Sequence, residues 1–135
     1  MNFVKEYAVA FIIFLIMDGI WLGFVASGLY KKELGYLMTS NPNWIAAAIF
    51  YLLFIVGLVF FVIEPALAKE SIKYALLVGM FFGLITYATY DLTNLATVKD
   101  WPISITIIDL IWGATLSGVV SSVSYYIITT FNLLK

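Results

Sequence analysis

From Leu34 to Ile63 the chain carries no Asp, Glu, Lys or Arg, and from Leu110 to Leu134 it again carries none. A helix crosses a hydrocarbon core in about 20 apolar residues, so either run is long enough to span a bilayer. Tyr7 to Tyr30 and Tyr74 to Val98 are comparable in length, each broken by one acid, Asp18 and Asp91. Lipid offers the backbone no hydrogen bonds, which leaves helices as the form such stretches can take. Four spans and their short connections use up the 135 residues. The expected fold is an all-α polytopic membrane protein, one four-helix transmembrane bundle over residues 1–135 with helices near 2–27, 44–63, 72–97 and 102–130. A mean hydropathy of +1.05, with 64% hydrophobic and 11% charged residues, excludes a soluble domain, which carries far more charge.

What is missing narrows the chemistry. There is no Cys and no His, which removes disulfides, thiol nucleophiles, thiolate metal sites and the usual general base, haem ligand and zinc ligand. There is no Arg and no basic patch, so nucleic acid is not an expected partner. The partner that composition does demand is a lipid bilayer. No loop motif of the kind that holds Mg²⁺ or Ca²⁺ is present, and no metal or other cofactor is expected.

The connections are short. The apolar first segment with its small triplet Ala26-Ser27-Gly28 imitates a signal peptide, but Asp18 in its middle argues against that. Lys31 and Lys32 are expected just outside helix 1. Asn41-Pro42-Asn43 marks a turn, with Asn43 placed to cap helix 2. Glu64-Pro65 is expected to end or kink helix 2, and Pro102 suits the first turn of helix 4. Lys5, Lys69, Lys73 and Lys135 lie on one side of this topology and Lys31, Lys32 and Lys99 on the other, a bias that puts both termini in the cytoplasm. Gly19-x-x-x-Gly23, Gly79-x-x-x-Gly83 and the ladder Gly113, Ser117, Ser121 are spaced for close helix contact, within one chain or in a homo-oligomer. Asp-x-x-Trp recurs at Asp18 and Asp109, but in the first and last helices, which is not the order of a tandem repeat.

The acids in the apolar runs are the candidate site. Tyr87, Asp91 and Asn94 share one face of helix 3. Asp91 lies seven residues before Val98 and Asp109 seven after Pro102, which places both about 10 Å below the same interface at 1.5 Å per residue. Asp18, nine residues before Ser27, is slightly deeper, and Tyr51, seven after Trp44, comes in from that side too. With Trp21, Tyr90 and Trp112 nearby, the predicted pocket comprises Asp18, Trp21, Tyr51, Tyr87, Tyr90, Asp91, Asn94, Asp109 and Trp112. No Lys reaches that depth. Three ionised acids would then stand uncompensated, so the set needs protons, water or a bound cation.

The motifs Met17-Asp18-Gly19-Ile20-Trp21-Leu22-Gly23, Glu64-Pro65-Ala66-Leu67, Tyr87-Ala88-Thr89-Tyr90-Asp91-Leu92-Thr93-Asn94-Leu95-Ala96-Thr97 with Lys99-Asp100-Trp101-Pro102, and Asp109-x-x-Trp112-Gly113 are distributed over all four expected helices or their ends. Together they resemble the bacterial predicted-membrane-protein family called domain of unknown function twenty-one seventy-seven. The resemblance implies a four-helix protein of the bacterial inner membrane and no particular activity. Tyr90-Asp91 and Pro65-Ala66-Leu67 are also similar to fragments of intramembrane aspartyl proteases. That family needs Gly-x-Gly-Asp at its second acid, where this chain has Thr106-Ile107-Ile108-Asp109, and more spans than four.

Three functions remain. The first is a site that binds or translocates protons, a small cation or an amine-bearing molecule, its aromatic walls suiting an organic cation. The second is an enzyme on a lipid or apolar substrate with an Asp acid/base pair, against which stands the lack of a nucleophile or a phosphate-binding Arg. The third is a non-catalytic subunit whose small-residue ladders pack against a partner.

Overall fold

A computed structural model describes residues 2–131, and Lys135 of the charge count lies outside them, as does the end of the Leu110 to Leu134 run. Four helices, each long and apolar enough to cross a membrane, make up the described residues: α1 (Phe3–Leu34), α2 (Trp44–Ala68), α3 (Ile72–Thr97) and α4 (Ile103–Thr130). No strand occurs among the described residues.

Side-chain caps start three of them. The Oδ1 of Asn2 accepts from the Lys5 N–H at 3.2 Å, that of Asn43 from Ala46 at 3.0 Å, and the Ser71 hydroxyl from Tyr74 at 3.0 Å. Each satisfies one of the donors a helix N-terminus leaves free. Pro102 stands just before α4 as its cap rather than in its first turn, its carbonyl accepting from Thr106 N–H at 3.3 Å. Beside it the buried Trp101 donates its indole N–H to the Thr106 hydroxyl at 3.1 Å.

Two helices run on past their expected ends. α1 continues from Ser27 to Leu34 through a π-helical stretch, Trp21–Ala26, so Lys31 and Lys32 sit on its last turn rather than outside it. Its polar end is tied to the far side of the chain: Ser104 donates to Glu33 at 3.5 Å and Tyr36 to the Asp100 carbonyl at 2.5 Å. α2 crosses Glu64-Pro65 and ends at Ala68. Pro65 has no N–H and its ring meets the carbonyl four residues back. The π stretch Val59–Ile63 widens the helix at that carbonyl, on Phe61, and accommodates the ring.

α3 and α4 form the most extensive helix pair, and their glycines explain it. A Cβ on Gly79 would lie 2.8 Å from both the Ser117 carbonyl and the Ser121 hydroxyl, and one on Gly83 would overlap the Gly113 carbonyl. Lipid does not drive helices together, so this close approach, with its dispersion contacts, holds the pair. Gly79-x-x-x-Gly83 and the Gly113 ladder therefore pack within one chain. Gly19 and Gly23 of α1 meet nothing within 4 Å, and their alanine variants should melt as wild type or higher by up to about 1 kcal/mol, the helix propensity gained.

The bundle has two unlike halves. Near the chain termini, Ala10 and Phe14 of α1, Ile55, Leu58 and Val62 of α2, and Leu116, Val120 and Ile128 of α4 form a closed apolar core. At the other end α2 stands away: from Trp44 to Leu53 only Ala47 and Tyr51 are even half-buried. A hollow remains there between α2 and the other three helices.

Candidate functional site

All four helices contribute to that hollow, a cavity of about 410 Å³. α3 supplies Thr86, Tyr87, Tyr90 and Asp91, from the first two helical turns of its most polar stretch. α4 supplies Asp109 and, one turn on, Trp112; α1 supplies Asp18, Trp21, Leu22 and Tyr30; α2 closes one wall with Ala47, Phe50 and Tyr51. The three carboxylates gathered here are all buried, at 8% exposure for Asp18, 0% for Asp91 and 7% for Asp109. All three have thus left most of their hydration, which makes their remaining partners decisive.

Those partners differ. The Tyr30 hydroxyl donates to Asp109 Oδ1. Asp18 faces the Tyr51 phenol and the Trp112 indole. Asp91 stands against Asp109, carboxyl facing carboxyl, and neither of its oxygens accepts from a donor group among the described residues. No described lysine lines the cavity. Trp21 and Trp112 stack face to face, 4.4 Å between centroids and 8° between planes. They join α1 to α4 directly beside the acids. Tyr87 lies over Gly113, where a Cβ would run into its ring, and Tyr51 meets Phe14 edge-on at 5.3 Å. The Thr86 hydroxyl is spent on its own helix, donating to the Phe82 and Gly83 carbonyls at 2.9 and 3.1 Å.

Eight of the nine residues singled out from the sequence line this one cavity, and Asn94 does not. Asn94 is half-buried nearly a turn further along α3, its carbonyl accepting from Val98 N–H at 2.7 Å. It shares the face of Asp91 but not its depth. The sequence reading missed Tyr30, because it ended helix 1 at Ser27 and assumed uniform α-helix. At 3.6 residues per turn Tyr30 would point about 120° away from Asp18, twelve residues earlier. The wider π turns of Trp21–Ala26 absorb about one residue, which brings the two within about 20° of one face. Removing this hydroxyl with Tyr30→Phe leaves Asp109 without its only donor among the described residues, and thermal unfolding in detergent should show a loss of about 1–2 kcal/mol.

Glu6 was missed as well. It occupies the same buried face of α1 as Ala10, Phe14 and Asp18, four residues apart in turn, at the opposite end of the span. Its exposure is 1% and both carboxylate oxygens lack hydrogen-bond partners among the described residues. The i, i+4 spacing was the signal for it. Among the described residues, no three acidic side chains are placed to hold a metal ion between them. The arrangement suits the holding of positive charge by acids and aromatic faces, with the fully buried Asp91 among them.

The family model described as a predicted membrane protein (DUF2177) matches residues 3–126, which takes in every residue of the cavity. No curated protein and no solved structure matches the chain. With 124 of its residues under one family model, the chain belongs to the DUF2177 family of predicted membrane proteins.

Proposed function

We propose that the cavity is a membrane-embedded cation site, at which the protein binds or translocates protons, a small cation or a cationic small molecule. The supporting observation is Asp91, wholly buried beside a second carboxylate, with neither oxygen accepting from a donor group among the described residues and no described lysine in the lining. An acid inside a bilayer normally faces a partner or a polar path, and two adjacent acids without a basic residue favour whatever brings positive charge. The aromatic rings add their own attraction for a cation. Binding needs only the open half of the bundle. Translocation also needs the core of Phe14, Leu58, Leu116 and Val120 to part.

Purified protein reconstituted in liposomes tests this with proton flux, cation flux and equilibrium binding measured side by side. The expected result is saturable uptake that disappears in Asp91→Asn and persists in Lys99→Gln, a change at an exposed residue remote from the cavity lining. Wild-type binding and flux equal to protein-free liposomes, across pH and across inorganic and organic cations, would overturn it.

A further inference from the structure

We infer that the occupant of the cavity is an organic ammonium ion with an apolar body, reaching the site sideways from the lipid through the gap beside α2. The inference rests on the cavity being a cation site, and three observations carry it further.

The first is size. At about 410 Å³ the hollow falls within the range of small-molecule pockets, about 300–1,000 Å³, and is many times the roughly 30 Å³ of one water. A bare inorganic ion would leave most of it unfilled, and no three of the described acids are placed to ligate one. The second is the wall. Tyr51, Tyr87, Tyr90, Phe50 and the stacked Trp21–Trp112 pair present ring faces and edges around the acids. Desolvated organic cations are recognised in this way, because each ring carries negative potential on its faces. Asp91, buried and accepting from no donor group among the described residues, supplies the counter-charge. The third is access. Phe50 lines the cavity and is also 48% exposed. It belongs to the stretch of α2 that stands away from the bundle, so the passage beside it opens among apolar side chains rather than at a polar loop. A ligand taking that route needs an apolar body and a charged head.

Two sources share this chemistry, a free amphiphilic amine and the ammonium headgroup of a lipid. Equilibrium binding of labelled benzyltrimethylammonium to the full chain in nanodiscs, corrected with protein-free discs, decides between outcomes. In discs of phosphatidylglycerol alone the expected result is one saturable site. It should weaken about a hundredfold in Asp91→Asn and about tenfold in Trp112→Leu. Neopentylbenzene, the neutral molecule of the same shape, should fail to compete at about ten times the concentration. If phosphatidylethanolamine in the disc suppresses binding, the source is a lipid headgroup; if it does not, the source is a free amine. Competition by neopentylbenzene equal to that of the unlabelled cation would overturn the inference and leave only an apolar groove. Asp91-dependent binding of protons, Na⁺ or K⁺ without binding of the organic cation would also overturn it, while the cation site itself would stand. Should Asp91→Asn not fold, Asp18→Asn carries the same comparison, with the same loss expected and wild-type affinity contradicting it.

Discussion

Gly83→Ala should lower the stability of the bundle by about 3 kcal/mol, and Gly83→Val should prevent it from assembling. A methyl group there has nowhere to go. It would overlap the Gly113 carbonyl and the Ser117 hydroxyl, and the first of these is helix backbone, which cannot rotate out of the way as a side-chain tip can. α3 and α4 would have to move apart along their most extensive contact. Tyr87 would then lose its seat over Gly113, and Asp91 would shift relative to Asp109. Thermal unfolding followed by circular dichroism in detergent measures the effect, with Gly19→Ala as the matched control on a glycine that meets nothing. Equal melting of the Gly83 and Gly19 variants would show that α3 and α4 do not pack as described.

Asp91→Asn should move two measurements in opposite directions. Cation binding should fall by about 2–5 kcal/mol, the usual loss when one partner of a buried charge interaction is removed. At a pH high enough to ionise Asp91, the unliganded protein should gain about 1 kcal/mol, since the asparagine amide can donate to Asp109 where an ionised Asp91 repels it. A buried acid that destabilises its own fold and is needed for binding is the signature of a functional group. A variant that lost both stability and binding would instead mark Asp91 as a structural member of the helix interface.

Much of this architecture could be read from residues alone. The four spans follow from the lack of charge, and the shared depth of Asp18, Asp91 and Asp109 follows from counting along helices of constant rise. Asn43 as a cap and Gly79-x-x-x-Gly83 as a contact surface follow from local chemistry. What escaped depended on departures from the uniform helix. Tyr30 reaches Asp109 only because six residues of α1 are π-helical, and a 3.6-residue count points it elsewhere. α2 continues past Pro65 for the same kind of reason. Gly19 and Gly23 had the same spacing as the glycines that pack, yet they face outward. Spacing shows that a helix can be approached closely, and the partner's own small residues, here Gly113, Ser117 and Ser121, decide where it is.

The chain contains four aspartates, Asp18, Asp91, Asp100 and Asp109, and the first, second and fourth line one cavity while Asp100 is exposed in the turn between α3 and α4. Solid-state carbon-13 spectra of protein labelled at the aspartate carboxyls resolve this directly. Saturating benzyltrimethylammonium should shift the Asp18, Asp91 and Asp109 resonances together and leave Asp100 in place. Carboxyl signals that respond singly, or that do not respond while Asp100 does, would contradict a common acidic hollow among the four helices.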